Sequence, residues 1–421
     1  IIGGKMKSFF RIISSFIILV AFNTANADSI KWLHLFGEDS SQYPNMVRAV
    51  EEFEAKTGHT VVMQYLENES FKAKLPTMLQ SNDRPDIFYS WGGGVMYDQA
   101  RAGFLRDVSS VVPDSYLNTV SAAAADAFTF EGQRVGLPLQ VSQVAWWYNK
   151  DLMSQAGVDV SQIKMWDDLL GAVKQIKAAG ITPICMGGKD KWPVHFVWTH
   201  LHIRNGGKGL FLESLNNGGW DRPEYIRSGE QMLELVELEP FQKGWLAATW
   251  PDQAGFFGDG KCAMAFMGNW MYGAQASNSA SGEGLADANM GMFNMPMTSG
   301  GIGDSGDTLG GINGWLFSST ASDAAVELMM HYVSLDIQKE DASNGAYIPI
   351  VKGADGSLTN PFLQQVAKNI SNSEYHQIFY DQFLGADIGR VVNDVSTDLA
   401  AGIISAEEAT QAVQEAWEFN Q

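Results

Sequence analysis

The sequence predicts an α/β protein built from two doubly wound units. Strand-like and helix-like segments alternate from Ser29 to about Gly103, a pattern typical of a parallel sheet covered by helices. The same alternation starts again after the segment GLPL at 136–139. The chain has 421 residues, and a chain of this length forms two domains more readily than one.

The first unit follows a β-α-β-α-β-α order. The segments SIKWLHLF, TVVMQY and DIFYSW are predicted as strands, with helices over 41–56 and 70–79 and a third helix that ends near Gly103. The first helix shows apolar residues at helical spacing from Met46 to Phe53, and Gly58 is its stop signal. In such sheets ligands bind beyond the carboxyl ends of the strands.

The second unit begins near residue 139. After QVAWWYNKDLMSQAG the pattern predicts, in order, a helix over 166–179, a strand at ITPICMGG, mostly helical structure over 195–250, a strand at GKCAMAFMGNW, a glycine-rich loop region over 273–311, a strand at GWLFSS and a helix over 321–335. The last helix is expected to open with a capping box formed by Ser405 and Glu408.

Residues 1–27 are expected to be a leader followed by a secretory signal peptide. Lys7 and Arg11 form a basic region, 12–22 is apolar but too short to span a bilayer, and a small-residue cleavage sequence ends at Ala27. A membrane anchor or a buried helix is the alternative. We therefore expect a periplasmic, secreted protein with cleavage after Ala27.

The charge of the chain restricts its partners. The formal net charge is −20, and removal of Lys5, Lys7 and Arg11 with the leader would make it −23. A protein this acidic is a poor candidate for binding nucleic acid or anionic lipid, since both attract basic surfaces. Small or neutral partners are expected instead.

The two cysteines, Cys185 and Cys262, both lie outside the leader. An oxidising compartment would allow them to form one disulfide. Two separate buried thiols are an equal alternative, because sequence does not fix the distance between them.

Four tryptophans stand at predicted strand ends or helix starts: Trp91, Trp192, Trp270 and Trp315. Each alone could belong to a core, but together they favour a cleft lined by flat aromatic faces. Sugars combine C–H faces with hydroxyl edges, so aromatic rings beside carboxylates and amides suit them. The polar candidates are Glu38, Asp39, Gln143 and Asn313, each of which could instead be a helix cap or a surface residue.

The segment RPDIFYSWGGG at 84–94 places Trp91 directly before three glycines. Glycine lets the backbone turn without a Cβ clash and lets another group approach closely. We expect the glycines to admit a ligand beside the indole.

The sequence shows no strong motif for catalysis, a metal or a cofactor. No glycine-rich loop is followed by Gly-Lys-Ser/Thr, and GDSGD at 303–307 lacks the context of a serine protease. His195 and His202 share a helical face, but core or solvated histidines are the favoured interpretation over a metal site. A secreted glycoside hydrolase with paired carboxylates stays open, because the separation of such carboxylates is a three-dimensional quantity.

Taken together, these motifs resemble the extracellular solute-binding proteins of family 1, the periplasmic sugar receptors of ABC importers. The matching segments are AVEEFEAKTGHTV, RPDIFYSWGGGVMYDQARAGFLRDV, GLPLQVSQVAWWYNKDLMSQAGV, GGKDKWP, GKCAMAFMGNW, GGINGW and SAEEATQAVQEA. They cover nearly the whole chain after the leader. The first-strand loop FGEDSSQ departs from the family by lacking its paired aromatics or glycine run.

The resemblance implies a type II periplasmic binding protein fold with two α/β lobes, each a mainly parallel sheet flanked by helices, joined by a hinge of several crossings. The N-terminal lobe would comprise 28–138 and about 312–348, and the C-terminal lobe 139–311 and about 349–421. Ligand contacts are carried over to Glu38, Asp39, Trp91, Ser142, Gln143, Trp192 and Trp270, and less firmly to Asn313 and Trp315.

The function implied by the resemblance is binding without covalent chemistry. A monomeric receptor would close its lobes around a carbohydrate, and the closed form would be recognised by the permease subunits of an ABC transporter. The alternatives are the glycoside hydrolase and a receptor for a non-sugar ligand such as a polyamine.

Overall fold

The computed structural model describes residues 28–421, so the predicted leader and its cleavage site lie outside the described residues. Within this range the strands are β1 (Ser29–His34), β2 (Thr60–Tyr65), β3 (Ile87–Ser90), β4 (Thr129–Phe130), β5 (Gln133–Arg134), β6 (Gly136–Asn149), β7 (Met264–Gly268), β8 (Met290–Phe293), β9 (Thr308–Phe317), β10 (Ile348–Pro349) and β11 (His376–Ile378).

The α-helices of residues 28–421 alternate with these strands in the first part of the chain and dominate the rest. They are α1 (Tyr43–Thr57), α2 (Asn68–Gln80), α3 (Gly93–Arg101), α4 (Asp114–Leu117), α5 (Ala122–Asp126), α6 (Lys150–Gln155), α7 (Trp166–Ala178), α8 (Trp192–Asn217), α9 (Pro223–Val236), α10 (Trp250–Gly258), α11 (Met271–Ser277), α12 (Asp323–Tyr332), α13 (Leu335–Ser343), α14 (Pro361–Asn372), α15 (Tyr380–Phe383), α16 (Ala386–Ala400) and α17 (Ala406–Phe419). Short 3₁₀ turns occupy Val160–Gln162, Trp245–Ala247, Asp287–Asn289 and Asp355–Ser357.

The predicted α/β class is confirmed, although strand directions are more mixed than expected. Strand β1 pairs in parallel with β2 and β3, as the β-α-β pattern predicts. Strand β9 then runs antiparallel to β3 and to β6, and β7 and β8 run antiparallel to β6. Because β6 and β9 are long and adjacent, they connect the two halves of the sheet into one continuous structure.

Two large hydrophobic cores divide the described chain, and we call the elements around them the N-terminal and C-terminal lobes. The first core draws its residues from Ile30–Leu139 and Trp315–Tyr347, and the second draws nearly all of its residues from Val144–Leu309 and Ile348–Val413, with Ala342 in addition. The chain thus passes between cores near 140–143, near 310–314 and close to residue 347. The lobe limits stay a prediction, which this distribution supports.

The segment ITPICMGG does not form the continuous strand that the sequence predicts. Only isolated bridges from Ile184 to Phe241 and Met264 are present there. The neighbouring backbone amides of Met186 and Gly187 instead donate hydrogen bonds to glutamine side chains, at 2.9 and 3.1 Å. The backbone of 182–185 still bonds to that of Pro240, Ala263 and Met264, so side-chain amides replace backbone partners only at the end of the segment.

Cys185 and Cys262 form a disulfide within the core of the C-terminal lobe. The two residues are 77 positions apart in sequence, with Cα atoms 5.6 Å apart, and both are fully buried. The structure thereby decides between the two alternatives that the sequence left open.

The triple glycine after Trp91 accommodates protein rather than an open ligand position. Gly93 has a φ of 68°, and a Cβ placed on it would lie 2.9 Å from the carbonyl oxygen of Gln382 and from Cα of Phe383. A Cβ on Gly94 would collide with the backbone of Gly385. The glycines therefore let α3 of the N-terminal lobe approach the end of α15 and the start of α16 in the C-terminal lobe.

Candidate functional site

A cavity of about 430 Å³ lies between the two lobes. Both lobes contribute to its wall. The N-terminal lobe and its connections provide Leu35, Phe36, Gly37, Asp39, Ser40, Ser41, Gln42, Tyr65, Glu67, Asn68, Lys72, Tyr89, Trp91, Gln140, Asn313, Gly345 and Ala346. The C-terminal lobe provides Ser142, Trp192, Phe196, Trp250, Pro251, Asn269, Trp270, Gly273, Ala274, Ser277, Asn278, Leu363, Phe379, Asp381 and Gln382. The volume is within the range of small-ligand pockets.

The N-terminal wall is built at the carboxyl ends of β1, β2 and β3. Trp91 follows β3, and its ring meets the rings of Tyr89 and Phe71 edge to face, at 5.3 and 5.8 Å between centroids. The hydroxyl of Tyr89 accepts a hydrogen bond from Nε2 of Gln140 at 2.8 Å. Packing from these neighbours fixes the orientation of the Trp91 indole, which is an advantage for a binding platform.

The C-terminal wall carries three indoles. Trp192 and Trp250 are the first residues of α8 and α10, and Trp270 directly precedes α11. Their ring centroids lie 5.7 Å (Trp192 to Trp250), 6.3 Å (Trp192 to Trp270) and 6.5 Å (Trp250 to Trp270) apart. Phe196 packs on both Trp192 and Trp270. The cluster offers a large, rigid aromatic surface at low conformational cost.

Polar groups from both lobes meet across the cavity. Oε1 of Glu69 accepts a hydrogen bond from Nε1 of Trp192 at 3.0 Å. The Lys72 ammonium lies 3.5 Å from the same oxygen and 5.3 Å from the ring centroids of both Trp91 and Trp192. Helix α2 therefore contacts the C-terminal lobe through one carboxylate and one ammonium.

The charge of the wall is predominantly acidic. Asp39, Glu67 and Asp381 line the cavity, and among the described residues Lys72 is the single basic side chain on its wall. Beside the site, burial raises the pKa of Asp190, whose carboxylate accepts a hydrogen bond from the backbone amide of Trp250 at 2.6 Å. The wall therefore suits neutral or cationic ligands better than anionic ones.

The cavity brings together six of the nine residues predicted from the sequence. Asp39, Trp91, Ser142, Trp192, Trp270 and Asn313 all line it. The remaining three, Glu38, Gln143 and Trp315, do not.

Trp315 was expected to be an exposed platform, and this expectation is wrong. Its ring is fully buried in the first core, where it contacts Trp32, Phe36, Tyr89 and Tyr332 edge to face. Residue 315 lies opposite Tyr89 on β3 in the sheet.

Gln143 and Glu38 also require correction as direct contacts. Gln143 is buried, and its backbone amide donates to Oδ1 of Asn269 at 3.0 Å, while its side-chain amide bonds to Asn294 and Asn369. Gln143 therefore positions Asn269, which lines the cavity. Glu38 is exposed and is not part of the cavity wall, to which its neighbour Asp39 belongs.

Several residues of the cavity wall were not predicted from the sequence, above all Lys72, Trp250 and Asp381. Trp250 had a local signal: Thr249 and Asp252 form a capping box that starts α10 at the tryptophan. Lys72 and Asp381 had none, since their partners are far away in sequence.

Within the described residues no grouping of His, Cys, Asp and Glu suits a metal ion, and none of the helices combines the length and apolarity needed to cross a membrane.

Comparisons with known proteins agree with this architecture. The family model for bacterial extracellular solute-binding protein matches residues 37–340. An uncharacterised ABC transporter extracellular-binding protein of Pyrococcus horikoshii is 24% identical over 206 residues, which is 48% of this chain and 46% of that protein. An sn-glycerol-3-phosphate-binding periplasmic protein of Shigella flexneri is 32% identical over 145 residues, 34% of this chain and 30% of that protein.

The chain thus spans about half or less of the length of these two relatives. Among solved structures, a chitin oligosaccharide binding protein superposes with a TM-score of 0.84 at 23% identity, over 93% of this chain and 98% of that one. This likeness confirms the two-lobed fold. With a family match that extends over most of its length, the chain belongs to the bacterial extracellular solute-binding proteins.

Proposed function

We propose that this protein is the substrate-binding component of an ABC importer and that it captures a neutral sugar or oligosaccharide between its lobes. The observation that carries this proposal is the presence of indoles from both lobes, Trp91 on one side and Trp192 and Trp270 on the other, around one cavity with amide and carboxylate groups. Aromatic faces bind the C–H faces of a sugar, and the polar groups bind its hydroxyls.

Binding would be coupled to closure of the lobes. A ligand shifts the balance between open and closed forms only by its different affinity for them. Because the wall of the cavity is divided between the lobes, a ligand that touches both walls favours the closed form. The permease of the importer would recognise that form, in the periplasm and as a monomer, and no covalent step is required.

The charge of the cavity favours a neutral sugar over a phosphorylated ligand of the kind named for the Shigella relative. Phosphate sites use arginine clusters, lysines or free backbone amides. Here the carboxylates of Asp39, Glu67 and Asp381 outnumber the ammonium of Lys72. A polyamine also fits this charge, and its ammonium groups could lie over indole faces, so it is the alternative ligand class.

A ligand panel with product analysis tests the proposal. Thermal shift and calorimetry are measured with malto-, xylo- and chito-oligosaccharides, raffinose, glycerol 3-phosphate and spermidine, and each sugar is checked for cleavage. Stabilisation by a sugar that stays intact supports the receptor. Cleavage would support the glycoside hydrolase, and stabilisation by spermidine or glycerol 3-phosphate alone would overturn the choice of ligand class.

A further inference from the structure

Lys72 occupies the gap between two aromatic faces that belong to different lobes. Its ammonium lies over the ring of Trp91 and over the ring of Trp192, at 5.3 Å from each centroid. These distances are typical of cation–π contacts. One face of each indole is therefore already covered by a side chain of the protein itself.

The position of this ammonium is held by more than the two rings. Oε1 of Glu69 lies 3.5 Å from the Lys72 ammonium and also accepts the hydrogen bond from the Trp192 indole at 3.0 Å. The Lys72 side chain is 27% exposed. A lysine at the protein surface is usually mobile and solvated, whereas this one has an ion-pair partner and two aromatic neighbours.

A sugar ring that stacked on either face would need the space that Lys72 fills. Stacking requires direct contact between the C–H face of the sugar and the indole. The other indoles of the C-terminal lobe, Trp250 and Trp270, carry no such cover among the cation–π contacts of the described residues. The cavity wall thus includes indoles without a cation over them and one pair of indole faces that a cation covers.

We propose that Lys72 determines specificity by occupying one stacking position, so that it limits the number of sugar rings that the cavity accepts. The inference rests on the proposed function. A ligand with an additional ring must displace the ammonium and lose its contacts with Glu69, Trp91 and Trp192. Shorter ligands bind without this cost.

The test measures affinity as a function of ligand length. Full-length wild type, Lys72→Ala and the matched control Lys74→Ala are titrated with malto-, xylo- and chito-oligosaccharides from disaccharide to hexasaccharide. Lys74 lies on the same helix, is exposed and is absent from the cavity wall. We expect affinity of wild type and of Lys74→Ala to stop rising with length, and Lys72→Ala to gain about tenfold with one further ring.

The possible outcomes separate this inference from the proposed function. A length profile that is the same for Lys72→Ala and wild type would overturn the inference alone. Loss of all sugar binding by a folded Lys72→Ala variant, with folding checked by its melting temperature, would also overturn it, because Lys72 would then be a direct ligand contact. Failure of wild type to bind any sugar would overturn the proposed function and, with it, the inference.

Discussion

Trp192 donates a hydrogen bond from Nε1 to Oε1 of Glu69 at 3.0 Å, across 123 positions of sequence and across the boundary between the two cores. Glu69 lies on α2 of the N-terminal lobe, and Trp192 begins α8 of the C-terminal lobe. The bond joins the two lobes directly. It therefore stabilises the arrangement in which they contact each other.

Replacement of Glu69 by alanine should shift the ligand-free protein towards an open form. A hydrogen bond to a buried charge contributes about 1.5–3 kcal/mol. The Glu69 side chain is 38% exposed, so we expect about 1 kcal/mol. Small-angle scattering should show a larger radius of gyration, and calorimetry a weaker affinity for the bound sugar. Lys74→Ala on the same helix is the control, and identical scattering from all three proteins would contradict the prediction.

Alanine at Trp91 or Trp270 should weaken ligand binding without unfolding the protein. Each change removes an indole from the cavity wall and should cost about 1–3 kcal/mol of binding free energy through lost area and stacking. Titration calorimetry measures the effect. Trp417→Ala is the matched control, because that half-buried indole bonds to the carbonyl of Leu215 and neither residue lines the cavity. Unchanged affinity in both cavity variants would contradict the assignment of this cavity as the ligand-binding site.

Local signals in the sequence predicted most of the elements. The capping box of Ser405 and Glu408 starts α17 as expected, with both reciprocal hydrogen bonds present. Such signals involve residues only a few positions apart, so they depend little on contacts with distant segments of the chain. The strand predicted at ITPICMGG is reduced to isolated bridges with two distant segments, and glutamine side chains bond to the amides of Met186 and Gly187 at its end.

The site was harder to predict, because it depends on contacts between segments that are distant in sequence. Trp91 follows one strand-like run and Trp315 begins another, yet only Trp91 reaches the cavity. Trp315 pairs with Tyr89 within the sheet, whereas Trp91 lies beyond the end of β3, and this difference depends on the register between distant strands. Lys72 has no local signal in the sequence, since its second aromatic partner, Trp192, belongs to the other lobe.

Removal of the disulfide should destabilise the C-terminal lobe markedly. Cys185 and Cys262 are separated by 77 positions, and closing a loop of this length in the unfolded chain corresponds to about 4.5 kcal/mol in the chain-entropy description. We expect the double change Cys185→Ala and Cys262→Ala to lower the free energy of unfolding by a similar amount. Urea titration measures it, and reduced wild type should match the variant. Equal stability of the oxidised and the doubly substituted protein would contradict the prediction.

Acid should destabilise the folded protein through its buried histidines. Burial lowers the pKa of His376 from 6.5 to about 4, that of His34 to about 4 and that of His202 to about 3. The unfolded chain therefore binds more protons than the folded one below about pH 6.5, and the free energy of unfolding falls as the pH is lowered from there towards about 4. Asp341 opposes this trend, because burial raises its pKa to about 6.

Replacement of His376 by asparagine tests the sign and the size of this effect. Asparagine can keep a hydrogen bond to the Thr308 hydroxyl, which lies 2.8 Å from Nδ1 of the histidine, but it takes up no proton. One histidine contributes at most about 1.4 kcal/mol per pH unit to the slope. Urea titrations between pH 7 and pH 5 should therefore show a shallower decline for the variant, with parallel behaviour above pH 7. A decline as steep as that of wild type would show that His376 is not protonated on unfolding in this range.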